Sequence, residues 1–370
     1  LRALFTGYPR MKGLLVYCRP GFESEAGQEL MDVAAALGGY GYFEPRQHQG
    51  WLLFHLSGGL TPQQLLEQQS IAELVFVRDW LIWSGTVALP AEDRVGALIK
   101  ALRELEESVP RCGRVEVRLP ENSTDRDLGN FTRQWVAPLS KGLRGAGLLA
   151  EARSSSVDTD RLELLVPDFD QCLIGYSLQQ NRARYPMGIP RLRLPADAPS
   201  RSAAKLEEAW KVLLPAGREL DYLGGGKTAV DLGAAPGGWT WQLVRQGMQV
   251  AAVDNGPMNQ ALMDSGQVQH VKADGYQWRP RRAVDWMVCD IVDKPRRTAA
   301  MVADWMADRL CRYSIFNLKL PMKTRYQEWL VCQALIEQRL TEAGLRFRLT
   351  AKQLYHDREE ITCFIERTDG

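Results

Sequence analysis

The side chains best placed to do chemistry in this chain stand at the ends of apolar runs. Val250-Ala-Ala-Val closes on Asp254, Gln269-His-Val-Lys-Ala on Asp274, Val284-Asp-Trp-Met-Val-Cys on Asp290, and Tyr313-Ser-Ile-Phe-Asn-Leu on Lys319. An acid at a strand end often caps the next helix, so each one alone has a purely structural reading. Charged residues repeated along one edge of one sheet point instead to a shared ligand. The seat for that ligand is Ala229-Val-Asp-Leu-Gly-Ala-Ala-Pro-Gly-Gly-Trp-Thr240. Here an apolar run carrying Asp231 breaks at Gly233 and resumes as a helical pattern through Trp239, Leu243 and Val244. A strand, a tight turn of small residues and a helix start form the place where α/β proteins receive nucleotide-like ligands. Small residues there let backbone N–H groups come close to the ligand.

Spacing separates the ligand classes. A dinucleotide turn needs G-x-G-x-x-G, whereas the glycines here fall at Gly233, Gly237 and Gly238. Asp254 follows the turn by about twenty residues, where an acid accepts hydrogen bonds from both hydroxyls of a ribose. Asp274 is placed to meet an adenine edge. S-adenosylmethionine fits: it is a nucleoside with free ribose hydroxyls and an amino-acid tail, with no pyrophosphate to cradle. Gly224-Gly-Gly-Lys-Thr228 is not a P-loop, because Asp221 stands where the first glycine belongs and the segment precedes a strand.

These residues need a doubly wound scaffold, and the second half of the chain supplies the pattern. A helix over 205–213 leads into strands over 228–232, 250–254, 269–274, 284–290 and 313–319, then a helix over 326–343 and strands over 347–354 and 359–365. Near-continuous apolar strands alternating with helices imply a parallel sheet covered on both faces. The first half is more mixed. Strands are expected over 13–18, 50–56, 74–84, 114–119, 162–166 and 172–176, and helices over 24–37, from Thr61-Pro62, over 90–109 and over 123–147. Strands and helices alternate without a phosphate-type turn, so this half reads as an α+β binding unit divided near 87–90.

The 370 residues, 45% hydrophobic and 25% charged, suit a soluble globular protein of two or more domains. No apolar run approaches the ~20 residues that span a bilayer. Residues 1–10 lack the pattern of a signal peptide and read as an expression remnant or an upstream extension. The seven cysteines never form C-x-x-C and the four histidines are not at metal-ligand spacing, so buried thiols in a reducing, cytoplasmic setting are expected and a metal is not. With a net charge of +1, nucleic-acid binding must come from local clusters. One cluster sets Arg182, Arg184, Arg191, Arg193, Arg201 and Lys205 against Asp197 alone, among five prolines and glycines. It reads either as a solvated linker or as a phosphate-contacting seam, with Tyr185 able to stack on an unpaired base. Further cations gather beyond the strand ends: Arg279, Arg281, Arg282, Lys294, Arg296, Arg297, Lys323 and Arg325.

Ser200-Arg-Ser-Ala-Ala-Lys205, Asp231-Leu-Gly-Ala-Ala-Pro-Gly-Gly-Trp239, Asp290, Lys319 and a late glutamate resemble the FtsJ-type ribose 2′-O-methyltransferases. Cys18-Arg-Pro-Gly-Phe-Glu23, Pro186-Met-Gly-Ile-Pro190, Val253-Asp-Asn-Gly-Pro-Met258, Phe316-Asn-Leu-Lys-Leu-Pro-Met-Lys323 and Gln353-Leu-Tyr-His-Asp-Arg-Glu359 resemble the bacterial ribosomal RNA large subunit methyltransferase M family. That resemblance implies an α/β fold: a C-terminal Rossmann-like S-adenosylmethionine-dependent methyltransferase domain with a mostly parallel seven-stranded sheet, and an N-terminal α+β THUMP/ferredoxin-like region. The expected divisions are a ferredoxin-like subdomain over 11–88, a THUMP-type RNA-binding subdomain over 89–180, a basic Pro-rich linker over 181–200 and the methyltransferase domain over 201–370. The implied reaction is 2′-O-methylation of one cytidine in 23S rRNA, naked or in an early assembly particle, by a cytoplasmic enzyme that leans towards a monomer.

Carried over position by position, the family's catalytic set falls on Lys205, Asp290, Lys319 and Glu360. Its cofactor positions fall on Ser202, Ala235, Pro236, Gly237, Gly238, Asp254, Asp274 and Asp290. Arg182, Arg184, Arg191, Arg193, Arg296, Arg297 and Lys323 are the candidate RNA contacts. Glu359 and Glu360 are neighbours that face opposite sides of a strand; Glu360 is chosen because the family's glutamate directly precedes the β-branched strand start, here Ile361. A ribose hydroxyl is a very weak acid, so Lys319 is expected to act as the base, and it can do so only when neutral. Other methyl acceptors lack their motifs, since Cys289-Asp-Ile-Val is neither a (D/N)-P-P-(Y/F) loop nor a Pro-Cys nucleophile. The rival readings are a non-catalytic rRNA-binding or assembly factor and a Rossmann-fold oxidoreductase.

Overall fold

The structure, a computed structural model, describes residues 13–44, 48–105, 109–150 and 159–369, so segment 1–10 lies outside the described residues. The chain forms two compact units, Leu1–Gly188 and Ile189–Gly370. Among the described residues no helix is long and apolar enough to cross a membrane. All seven cysteines are buried and free.

The first unit begins with β1 (Gly13–Tyr17), α1 (Glu23–Ala36), β2 (Tyr40–Glu44), β3 (Trp51–Ser57), α2 (Pro62–Gln68) and β4 (Asp79–Ala88). It continues with α3 (Arg94–Glu104), β5 (Arg114–Arg118), α4 (Arg126–Gly145), β6 (Arg161–Leu165) and β7 (Gln171–Ser177). Its strands make one sheet in the order β2-β3-β1-β4-β7-β6-β5. β4 pairs with β1 on one side and β7 on the other, so the two segments expected to meet near 88 contribute to a single sheet.

The strand expected over 74–84 lies instead at Asp79–Ala88. The displacement has a specific cause. Glu29 of α1 is buried, and its carboxylate accepts hydrogen bonds from the backbone N–H groups of Val75, Phe76 and Val77 at 2.6, 2.9 and 3.1 Å. A buried acid that captures three successive N–H donors satisfies it and them together, and leaves no donors for a strand ladder. α2 begins as its sequence implies. Thr61 accepts from Gln64 N, Gln64 reciprocates, and Pro62 follows at the first helical position.

The second unit carries α5 (Ala203–Leu213), α6 (Glu219–Leu223), β8 (Thr228–Leu232), α7 (Gly238–Arg245), β9 (Gln249–Val253), α8 (Gln260–Asp264) and β10 (Val268–Val271). Then come β11 (Val284–Cys289), α9 (Pro295–Ala307), β12 (Cys311–Lys319), α10 (Arg325–Glu342), β13 (Phe347–Lys352) and β14 (Glu360–Arg367). The sheet order is β10-β9-β8-β11-β12-β14-β13. Neighbours are parallel from β10 to β12, and β14 runs antiparallel between β12 and β13. Strand order reverses between β8 and β11, the switch point at which open α/β sheets hold their ligands beyond the carboxyl ends.

One face of this sheet buries Trp286, Val288, Tyr313, Ile315 and Phe364 against Leu206 and Trp210 of α5, Leu223 of α6, and Trp239 and Leu243 of α7. α9 packs along β12, and α10 along α9. Trp286 is the keystone of the first face. It is fully buried, 5.0 Å from Tyr313 and 6.0 Å from Phe364 between ring centroids, and its Nε1 donates to Tyr222 O at 2.9 Å. Trp286→Ala is expected to destabilise this unit by about 3–5 kcal/mol, seen as a lower midpoint in chemical unfolding; a midpoint within experimental scatter of wild type would contradict that place in the core.

Candidate active site

At the end of β8 the chain turns through Gly233 and Gly237, with φ of 78° and 117°. Both lie where a side chain is strongly disfavoured. α7 then starts at Gly238, pointing its first N–H groups out of the carboxyl edge of the sheet. A Cβ on Gly238 would come within 2.2 and 2.4 Å of the Ser200 and Ser202 hydroxyls, so Ser202 sits directly against the turn. Ala235-Pro236 is a cis peptide within it. Below the turn, Thr240 Oγ1 donates to Asp231 Oδ2 at 2.7 Å, pinning the first turn of α7 to β8. Burial pushes the Asp231 carboxyl up to about 7 despite that hydrogen bond.

The strand-end acids take up distinct positions. Asp254 follows β9 directly and accepts from Ala235 N at 3.0 Å and Gly256 N at 2.7 Å. It therefore props the turn, while each oxygen keeps a second lone pair for a hydroxyl donor. Asp274 does not end its strand. β10 stops at Val271, and Asp274 opens the following turn, exposed and accepting from Tyr276 N at 2.8 Å. An S-adenosylmethionine-like ligand fits these residues: backbone donors at a side-chain-free turn, carboxyl oxygens with spare lone pairs at Asp254 and Asp274, and Asp290 at the same edge.

Lys205, Asp290, Lys319 and Glu360 come together although 155 residues separate the first from the last. Lys319 and Glu360 are directly opposed across the antiparallel β12/β14 pair, as are Asn317 and Thr362. Residues two apart share a face, so these four make one patch. Cys289 of β11 lies beside Phe316, which brings Asp290 next to that patch. Asp290 Oδ1 accepts from Lys319 Nζ at 3.0 Å and from Asn317 Nδ2 at 2.8 Å. Lys205 Nζ donates to Glu360 Oε1 and lies 3.6 Å from Asp290 Oδ2. Lys319 Nζ is 3.4 Å from Glu360 Oε1, which closes a square of alternating charge whose side chains are only 7–19% exposed.

Burial works to lower the pKa of Lys205, but Asp290 and Glu360 outweigh it and raise it above the ordinary lysine value. Burial likewise pushes the Glu360 carboxyl up, and the Lys205 ammonium overcomes that and holds it below the usual range. Glu359 faces away, half exposed and paired with Arg325 at 2.7 Å.

α5 is locked into position from two sides. Trp239 Nε1 donates to Ser202 O at 2.9 Å and Gln242 Nε2 to Ala203 O at 3.0 Å, so α7 holds the start of α5. Glu208, fully buried one turn beyond Lys205, accepts from Tyr355 N and His356 N at 2.8 and 2.9 Å and meets His356 Nδ1 at 2.6 Å. Sequence reasoning passed over Asn317, Thr362, Asp357 and Glu208, although polar residues at alternate positions of apolar strands were the signal that marks the first two.

The candidate RNA contacts fall in separate places. Arg182 donates to Thr159 O at 2.8 Å within the first unit, and Arg184 is exposed, 5.5 Å over the Tyr185 ring. Asn181 and Asp79 tether this stretch to the first unit through Ile71 N and Ala183 N. Arg191 and Arg193 are exposed on the second unit, where Leu194 and Ala198 pack beside Trp241 and Leu262. Arg296 is paired with Glu328, Arg297 with Asp293 and over the Tyr276 ring, and Lys323 is exposed. Among the described residues no group of His, Cys, Asp and Glu is arranged to hold a metal ion.

Family models match most of the chain: the RlmM ferredoxin-like domain over residues 11–81, the N-terminal domain of ribosomal RNA large subunit methyltransferase M over 93–178, and FtsJ-like methyltransferase over 198–333. The chain is 62% identical to ribosomal RNA large subunit methyltransferase M of Marinobacter nauticus, over 97% of this chain and 100% of that protein. It is 43% identical to the protein of the same name from Pseudomonas fluorescens (97% and 98% covered) and 44% identical to that from Ectopseudomonas mendocina (96% and 99%).

The square makes a pH prediction. A carboxyl whose folded pKa is depressed stabilises the fold above its unfolded value of about 4.3 and loses that contribution as pH falls through the folded value. Glu360→Gln is expected to flatten the loss of stability between about pH 5 and 3. Unfolding midpoints across that range test this, and a pH slope equal to that of wild type would refute it.

Proposed function

Because this chain belongs to the ribosomal RNA large subunit methyltransferase M family, we propose that it moves a methyl group from S-adenosylmethionine to the 2′-oxygen of one cytidine ribose in 23S rRNA. The observation that carries the reading is the Lys205–Asp290–Lys319–Glu360 square at the same carboxyl edge as the small-residue turn.

When bound, the cofactor supplies a sulfonium methyl that is already activated for transfer. The residues of the chain then have to bind, orient and take up one proton. Gly237, Gly238 and Ser202 form the wall of the cofactor seat, Asp254 receives the ribose hydroxyls, and Asp274 meets the adenine side. Lys319, as the neutral amine, removes the proton from the acceptor 2′-hydroxyl. The deprotonated oxygen would then be the nucleophile towards the methyl group that S-adenosylmethionine, held by these residues, would supply, with the thioether as leaving group.

The two lysines divide the work by position. Lys205 makes the closest contact with Glu360 and has the raised pKa, so it remains the cation. Lys319, held between Asp290 at 3.0 Å and Glu360 at 3.4 Å, is the amine assigned as the base. The first unit and the exposed Arg184, Arg191, Arg193 and Lys323 hold the RNA through its phosphates.

Two outcomes test the assignment. On unmodified 23S rRNA, Lys319→Ala is expected to abolish methyl transfer with cofactor affinity near normal, whereas Asp254→Ala weakens cofactor binding by roughly 1–3 kcal/mol; turnover retained in Lys319→Ala would sink the base assignment. Reversing Arg191 and Arg193 to glutamate is expected to weaken rRNA binding and to reduce the slope of log K against log salt by about one unit per lost phosphate contact. An unchanged slope would return these arginines to a solvated connection.

A further inference from the structure

We propose that Asp357 is a positioning residue for methyl transfer, anchoring a one-way chain of hydrogen bonds through Thr362 and Asn317 that fixes Asp290 against Lys319. The proposal rests on reading the Lys205–Asp290–Lys319–Glu360 square as the reacting site.

The three linking side chains are buried, at 0% exposure for Asn317 and Thr362 and 1% for Asp357. Their hydrogens can be counted. A carboxylate only accepts, so the Asn317 group that lies 2.8 Å from Asp290 Oδ1 must be its NH₂. Asn317 Oδ1 therefore faces Thr362 Oγ1, 2.8 Å away, and needs that hydroxyl's single hydrogen. Thr362 Oγ1 also lies 3.1 and 3.0 Å from the two oxygens of Asp357, with no hydrogen left to offer them.

An ionised Asp357 would either face the Thr362 lone pairs or draw off the hydroxyl hydrogen and leave the buried Asn317 Oδ1 without its donor. A protonated one makes those contacts a hydrogen bond. Asp357 Oδ2 already accepts from Leu354 N at 2.9 Å, which leaves Oδ1 to carry the proton. The chain then has one consistent direction: Asp357 O–H to Thr362 O, Thr362 O–H to Asn317 O, and Asn317 N–H to Asp290.

The surroundings favour that proton. Burial and then the Glu360 carboxylate push Asp357 up to about 7. The Leu354 N–H and Lys205 oppose them, and Glu208, with His356 at its side, adds to the rise. When Asp357 ionises, the Thr362 hydrogen is drawn to the anion and Asn317 Oδ1 loses its donor. The amide then no longer holds Asp290 in a single orientation.

Asp357→Asn supplies the same donor to Thr362 and the same acceptor to Leu354 N at every pH. A carboxyl with a raised folded pKa contributes its stability in full below the unfolded value of about 3.9, and that stability is lost as pH rises through about 7. The full-length wild type and Asp357→Asn are compared from pH 5.5 to 8.5, both by melting temperature and by methyl transfer to unmodified rRNA. The melting temperature of wild type is expected to fall relative to the variant as pH rises. The ratio of wild-type to variant kcat is expected to fall threefold or more, at constant KM for S-adenosylmethionine.

Asp357→Leu removes the donor and should lower kcat at least tenfold, a loss that Asn at the same position largely restores. Breaking the chain at Thr362→Val, or at Asn317→Ala where the valine variant does not fold, should remove the effect of Asp357→Asn on kcat. Parallel pH profiles for wild type and Asp357→Asn, or an effect of Asp357→Asn that persists in the broken chain, overturn the proposal. A wild type that never methylates rRNA would refute the proposed function instead. The melting comparison still reads the Asp357 proton in that case, and equal pH slopes there would overturn the anchor independently.

Discussion

The structure of the second unit depends on placing two lysines and two acidic side chains side by side with little water. Such a group is tolerable only when every charge meets opposite charges and its remaining hydrogen-bonding positions are filled. The square meets that condition with each lysine facing both carboxylates. It also constrains the fold. Glu360 can oppose Lys319 only because β14 enters antiparallel between β12 and β13, and Asp290 joins them only because β11 lies parallel on the other side of β12. Removing one member takes a partner from both of its opposite neighbours, so the four groups depend on one another.

The small-residue turn and the Lys205–Asp290–Lys319–Glu360 square are not independent modules. The helix that starts at that turn, α7, also grips the start of α5 through Trp239 and Gln242, and α5 carries Lys205. From the other end, Glu208 ties α5 to the backbone of Tyr355 and His356, just ahead of β14 and Glu360. A displacement of α5 by an ångström would disturb both the Gly238 wall and the Lys205–Glu360 contact. Rigid helices and strands thus fix the four charged groups, which suits the alignment that the proposed methyl transfer needs.

Much of this was legible in the residues. Apolar runs of strand length separated by helical periods marked the parallel sheet, and the failed dinucleotide spacing at Gly233, Gly237 and Gly238 narrowed the ligand class. Two kinds of feature were not. The stretch Leu74–Val77 has the composition of a strand, and only the distant Glu29 carboxylate explains why its N–H groups leave the ladder. Asn317 and Thr362 read as ordinary polar interruptions of apolar strands, because their meaning lies in the cross-strand register and in a third residue, Asp357, on a loop.

By itself the sequence determined the local chemistry: which residues turn, which strands are buried on both faces, and which side chains could bind a nucleoside or take a proton. Those properties follow from side-chain type and short-range period. The family resemblance named the four charged residues as a set, and the tertiary structure decided how they pair. Glu359 and Glu360 are chemically identical neighbours, and the alternation of a strand sends one to Arg325 at the surface and the other to Lys205 and Lys319. The residue order beside Ile361 pointed to Glu360 through the family resemblance, but the physical partners are brought together by strand register and helix packing rather than by proximity in sequence.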